Sequence, residues 1–126
     1  MAMVVALVIP NLMMRSKLSA VVEAAGLTSR YVRSVGDIAG VVERASADGD
    51  CVRGLIADLN VIGDAEQMRA AVSAAGGDVK KLGFFSHVDG ETGENGTAAG
   101  FDRVIPRSKI DSAVPLFLAE LLDAPQ

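Results

Sequence analysis

Short apolar runs alternate with segments of helical periodicity along most of the chain, and this alternation limits the folds open to it. The first run, VVALVI at residues 4–9, is rich in β-branched residues and contains no polar one. Such a run is typical of a strand covered on both faces, as in a parallel sheet. Apolar residues then recur at helical spacing from Met14 to Ala25, which predicts a helix. Asn11 is its predicted N-cap, and Gly26 ends it.

The same unit of a strand followed by a helix recurs along the sequence. The remaining predicted strands are residues 29–34, 52–57, 81–86 and 101–106. Two arginines in the second strand, Arg30 and Arg33, favour a sheet edge where one face is wet. Ser34 and Asp64 are the predicted caps of the second and third helices. Five strands alternating with helices predict a doubly wound parallel α/β domain with helices on both faces.

The two segments that flank the fifth strand are less regular. Residues 87–100 read HVDGETGENGTAAG, and each glycine there disfavours a helix by about 1 kcal/mol relative to alanine. We therefore expect a weak helix or a mobile loop between the fourth and fifth strands. The final helix is predicted to begin near Ser112, with Pro115 in its first turn, where proline is tolerated.

Composition excludes several classes of function. A chain of 126 residues fits a single domain that needs no disulfide or structural metal. The net charge of -4 leaves no basic surface for nucleic acid. One cysteine and one histidine cannot build a Cys/His zinc site or an internal disulfide. The N-terminal apolar run is too short to span a bilayer, so we expect a cytoplasmic protein without a membrane partner.

Polar side chains follow the predicted strands at the points where the strands end. Asn11 follows the first strand, Asp58 the third, Ser86 ends the fourth, and Arg107 follows the fifth. In a doubly wound sheet ligands bind beyond the carboxyl ends of the strands. A carboxylate, a hydroxyl and a guanidinium are therefore expected to meet at one rim of the sheet.

Three segments resemble the receiver domains of bacterial response regulators. IADLN at residues 56–60 is similar to the phosphoacceptor strand and turn, and FFSH at residues 84–87 to the strand that ends in serine or threonine. AAGFDRVIPRS at residues 98–108 resembles the segment that ends in a lysine-proline pair. The resemblance covers essentially the whole chain. We therefore expect a five-stranded flavodoxin-like sheet in the order 2-1-3-4-5.

The resemblance also implies roles for four residues. Asp58 stands at the position of the phosphoaccepting aspartate, and Asn60 at a position whose backbone carbonyl contacts the divalent metal. Ser86 stands where a hydroxyl binds the phosphoryl group, and Arg107 stands where the family has lysine. A simpler alternative for Asp58 is a strand-end residue that turns the chain and satisfies nearby backbone N–H groups.

The departures from the receiver pattern affect the magnesium binding and the phosphorylation expected at Asp58. Pro10-Asn11 replaces the acidic pair that holds magnesium after the first strand, and Ser108 replaces the proline after the lysine. Because magnesium is held by carboxylates and water, Asp58 alone is a poor magnesium site, and no cofactor is predicted. Arg107 is predicted to pair bidentately with Asp58 and to leave it slow to accept phosphate. The alternative is that Arg107 lies along the final helix.

These features predict a stand-alone, degenerate receiver that is not an enzyme and that signals by binding another protein. The partner would be a histidine kinase or a downstream regulator. By resemblance, the binding surface is expected around residues 89–117. A homodimer through Phe101 and Phe117 is an alternative, although both side chains also fit a core. His87 is expected to be a partly exposed loop residue.

Two other functions stay open. One is a phosphorylatable receiver that uses Asp58, with a metal bound through Asn11 and water. The other is a small-ligand or enzyme domain with its pocket between the first and third strands. Because the chain has no tryptophan and one tyrosine, it offers little to stack a flavin ring.

Overall fold

A computed structural model describes residues 1–86 and 90–123, and it contains one five-stranded parallel sheet in the predicted order β2-β1-β3-β4-β5. The strands are β1 (Met3–Val8), β2 (Thr28–Tyr31), β3 (Cys51–Asp58), β4 (Lys80–Phe85) and β5 (Arg103–Pro106). The helices are α1 (Leu12–Ala24), α2 (Ile38–Ala47), α3 (Leu59–Ile62), α4 (Ala65–Ala75), α5 (Gly90–Ala99) and α6 (Ile110–Asp123). His87 and the first residue of the expected binding surface, Asp89, lie outside the described residues.

Both faces of the sheet are buried, as the apolar run in β1 predicts. Val4, Ala6 and Val8 belong to one core layer, and Val5 and Leu7 to the other. Successive side chains of a strand point to opposite faces, so an uninterrupted apolar strand supplies both layers. Helices α2 and α4 cover the first layer, whereas α1 and α6 cover the second.

The edge position of β2 is confirmed, and the strand ends at Tyr31, earlier than predicted. Arg30 reaches outward and pairs with Asp48 at 2.8 Å and with Asp50 at 3.4 Å. The edge position leaves this charged side chain partly exposed to water, whereas a central strand would bury it.

Two of the three predicted helix caps form. The side-chain oxygen of Asn11 accepts the backbone N–H of Met14 at 2.9 Å, and Asp64 accepts that of Gln67 at 2.9 Å. Ser34 forms no such cap, because its hydroxyl donates to the carboxylate of Asp37 at 3.1 Å. A 3-10 turn, Val35–Asp37, precedes α2 there.

Of the two alternatives for the segment between β4 and β5, a weak helix or a loop, the structure shows a helix at residues 90–99, which form α5. Two of its glycines face the interior. A Cβ at Gly96 would lie 2.6 Å from Leu59 Cδ1, and one at Gly93 would lie 2.8 Å from the Phe85 ring. The missing side chains let α5 pack closely on its neighbours, and this packing offsets the low helix propensity of glycine.

The start of the last helix also differs from the prediction. Helix α6 begins at Ile110, after a 3-10 turn formed by Arg107–Lys109, so Pro115 lies beyond the first turn. Pro115 is exposed, and water can reach the backbone carbonyl of Asp111 that lacks its usual partner.

The two phenylalanines considered for a dimer contact are core residues. Phe101 is 5% exposed and Phe117 is 1% exposed. The interpretation of both rings as core residues is therefore confirmed, and neither ring is available at the surface for a homodimer contact. Within residues 1–86 and 90–123, no helix has the length and apolar character needed to cross a membrane.

Candidate functional site

Asp58 is the last residue of β3, and it is also the N-cap of α3, a four-residue helix that the sequence did not predict. One carboxylate oxygen accepts the backbone N–H of Asn60 at 3.1 Å. Only 8% of the residue is exposed. The simpler sequence interpretation therefore describes part of its role, because Asp58 turns the chain from strand to helix and satisfies a backbone donor.

The environment of Asp58 disfavours its charged form. Burial raises the pKa of the carboxyl above its usual value. The backbone N–H groups of Asn60 and Val61 and the positive charge of Arg107 act in the opposite direction, and burial is the larger effect. The carboxylate is thus stabilised less by its surroundings than it would be in water.

Arg107 does not form the predicted bidentate pair with Asp58. The residue opens the 3-10 turn after β5, where it is exposed, and no nitrogen–oxygen distance between the two side chains is within 4.0 Å. Its charge still lowers the pKa of Asp58 from a longer distance. An exposed guanidinium keeps its hydration, which an approach to the buried carboxylate would cost.

Asn60 connects the ends of two neighbouring strands. Its side-chain oxygen accepts the backbone N–H of Ser86, the residue after β4, at 2.8 Å. The sequence interpretation gave Asn60 a role through its backbone carbonyl and missed this side-chain contact. The residue type could have indicated this contact in the sequence, because a side-chain amide just beyond a strand end is well suited to bind backbone groups.

Asn11 lies at the same rim, because β1 pairs with β3 along its length and Asn11 follows β1 closely. The Asn11 side chain is occupied by capping α1. The next two residues expose apolar side chains, with Leu12 64% and Met13 84% exposed. Where the receiver pattern has acidic residues, this chain presents a proline, a helix cap and apolar side chains.

The donor set at this rim does not fit magnesium. Asp58 contributes the one carboxylate among the predicted site residues, and one of its oxygens already accepts a backbone donor. In the part of the chain that the structure describes, no group of three or more His, Cys, Asp or Glu side chains is arranged to hold a metal ion. A hard cation that needs several charged or neutral oxygens would find few here.

Solved structures with the same topology cover nearly the whole chain. A response regulator from Thermotoga maritima superimposes with a TM-score of 0.74 at 13% identity, covering 98% of this chain and 100% of its own. A response regulator receiver protein from Burkholderia phymatum gives 0.71 at 18% identity, covering 97% and 96%. The fold is that of a receiver domain.

Further comparisons agree with this assignment of the receiver fold. The chemotaxis response regulator CheY4 of Vibrio cholerae superimposes with a TM-score of 0.66 at 17% identity, covering 96% of this chain and 98% of its own. No protein-family model matches the sequence, and no curated protein sequence matches it. Within this receiver fold, Asp58, Asn60 and Ser86 lie together at the rim, and Arg107 acts on Asp58 through its charge alone.

Proposed function

We propose that residues 1–126 form one receiver-like signalling domain that is not an enzyme, acts by binding another protein, and is phosphorylated poorly or not at all at Asp58. The observation that carries this proposal is the state of Asp58, a buried capping residue without a second carboxylate at the end of β1. The receiver fold over nearly the whole chain supports the signalling part.

Phosphoryl transfer to a carboxylate makes demands that this site meets poorly. The attacking group must be ionised and open to in-line approach, and positive charge must neutralise the transferred group. Burial of Asp58 hinders the approach and raises the pKa of the carboxyl. Arg107 brings positive charge nearby without contacting Asp58, so it supplies only part of what a bound cation would.

The proposed docking surface is the face made by α5, β5 and α6. Arg103 of β5 forms an ion pair with Glu120 of α6 on this face. Leu116 is 62% exposed and precedes Glu120 by one helical turn, so both lie on the same side of α6. An exposed leucine beside a charged pair is typical of an apolar contact with a polar rim. We infer that a histidine kinase or a downstream regulator binds here, with Leu116 at the centre.

Beryllofluoride tests the chemistry of the site, because with magnesium it mimics a phosphoryl group on an aspartate. Titration into the ¹⁵N-labelled protein is expected to leave the amide signals of Asp58, Asn60 and Ser86 in place. Saturable shifts at these amides that extend to α5 and α6 would show that a phosphoryl mimic at Asp58 changes the docking surface. This result would contradict the proposal. A receiver that carries the acidic pair serves as the positive control.

A further inference from the structure

A cavity of about 330 Å³ opens at the carboxyl ends of β1, β2 and β3. Its apolar wall includes Val8 of β1, Val35 after β2, and Val61 and Ile62 of α3. The cavity lies where the chain leaves β1 for β2 on one side and returns as β3 on the other. Ligands bind at this reversal in doubly wound sheets, and the volume is within the range of small-molecule sites.

One cation lines the cavity. The guanidinium of Arg33 forms no ion pair within 4.0 Å among the described residues. Two nearby carboxylates have other partners, since Asp37 accepts the hydroxyl of Ser34 at 3.1 Å and Asp64 caps α4, and neither forms an ion pair with Arg33. The opening therefore presents a guanidinium without an ion-pair contact among the described residues, beside an apolar wall.

We propose that this cavity binds a small carboxylic acid with a short branched aliphatic chain. A guanidinium recognises a carboxylate through two parallel hydrogen bonds, and Arg33 is the group placed to do so. Val8 and Ile62, which are 1% and 8% exposed, supply the wall for the aliphatic part. Inorganic phosphate would leave that wall uncovered. The ligand site goes beyond the docking function proposed above and does not depend on it.

Helix α3 connects this cavity with the rim around Asp58. Val61 and Ile62 line the cavity, whereas the same helix is capped by Asp58 at its start. Asn60, between them, is hydrogen-bonded to Ser86. A ligand that presses on α3 is therefore expected to change the amide environment of Asn60 and Ser86 as well as that of the cavity wall.

The test is a ¹⁵N NMR titration of the full chain with sodium 4-methylpentanoate, with 4-methylpentanamide as the neutral analogue and sodium phosphate as the anion without an apolar part. Saturable shifts are expected at Val8, Val35, Val61 and Ile62 with the carboxylate. The amide analogue is expected to bind at least tenfold more weakly because it lacks the carboxylate. Phosphate is also expected to bind at least tenfold more weakly, because it lacks the aliphatic chain.

Variants localise the charge contact. Arg33→Gln is expected to weaken binding of 4-methylpentanoate about tenfold, whereas Arg33→Lys retains part of the affinity. Arg44→Gln, which removes an exposed arginine outside the cavity, is expected to bind as the unmodified chain does. Equal binding of the neutral analogue, shifts confined to other surfaces, or no saturable shift with the carboxylate would each overturn the proposal.

Discussion

The side chain of Asn60 fastens the end of β3 to the end of β4, because its oxygen accepts the backbone N–H of Ser86 at 2.8 Å. Asn60→Ala is expected to lower the free energy of unfolding by about 1 kcal/mol, the typical net value of one hydrogen bond. Urea denaturation measures this change. Hydrogen exchange of the Ser86 amide is expected to accelerate as well.

Asp102→Ala is the control for this prediction, since the Asp102 carboxylate accepts the backbone N–H of Lys81 at 2.8 Å, at the opposite end of β4. Its effect on the Ser86 amide is expected to be negligible. Unchanged exchange at Ser86 in Asn60→Ala would show that the contact does not hold the two strand ends together.

Asp58→Asn is expected to stabilise the protein at neutral pH. Burial raises the pKa of Asp58 in the folded state, so the folded protein holds this proton more tightly than the unfolded chain does. The stability contributed by Asp58 is then lost as pH rises from the unfolded pKa, about 3.9, through the raised folded pKa. Asparagine carries no charge and can still accept the N–H of Asn60.

Urea denaturation as a function of pH checks the predicted direction of this pH dependence. The advantage of Asp58→Asn should shrink as the pH falls from the raised folded pKa to the unfolded pKa, and change no further below it. Asp64→Asn replaces an exposed capping aspartate and is expected to show no such gain at neutral pH. A variant Asp58→Asn that is less stable than the unmodified protein at neutral pH contradicts the account.

Two glycine substitutions in α5 are expected to have opposite effects. Gly90→Ala meets no atom within 4 Å and is expected to be neutral or to stabilise by up to about 1 kcal/mol, because alanine favours a helix. Gly96→Ala places its Cβ 2.6 Å from Leu59 Cδ1 and is expected to destabilise by about 1–3 kcal/mol. Thermal or urea unfolding compares them. Equal stabilisation by both would mean that α5 does not pack against Leu59.

Lys81 provides a test of pH dependence at the opposite end of the sheet. Its side chain is buried and donates to the carbonyls of Gly76 at 2.8 Å and Val79 at 2.6 Å. Burial lowers the pKa of Lys81, so the unfolded chain binds this proton more tightly, and stability rises with pH from the lowered folded pKa to the unfolded value. The unmodified protein should therefore gain stability relative to Lys81→Met at alkaline pH. Lys109→Met, at an exposed position in the 3-10 turn after β5, is expected to show no such trend.

The alternation of apolar runs with helical periodicity was sufficient to predict a doubly wound parallel sheet, whereas the order of its strands was implied by the resemblance to receiver domains. The sequence did not decide between a helix and a loop for α5, because the packing of Gly93 and Gly96 against Phe85 and Leu59 involves residues of other elements. Helix propensity includes the free-energy cost of placing glycine in a helix, but it does not include the close packing between elements that glycine allows.

The candidate site could be predicted as a set of positions and less well as a set of contacts. Strand ends fix where Asp58 and Ser86 lie, because neighbouring parallel strands end at one rim. The long side chain of Arg107 is not fixed by its place in the sequence, and its predicted ion pair with Asp58 is wrong. Pairing with the buried Asp58 would cost the guanidinium part of its hydration, and this cost depends on burial that the sequence alone does not give.

The most direct test of impaired phosphorylation compares the unmodified chain with the double variant Pro10→Asp, Asn11→Asp after incubation with acetyl phosphate and magnesium. Intact-mass spectrometry counts the phosphoryl groups. The unmodified chain is expected to gain none, whereas the double variant, with the acidic pair supplied, is expected to gain one at Asp58. Rapid, stoichiometric labelling of Asp58 in the unmodified chain would contradict the account.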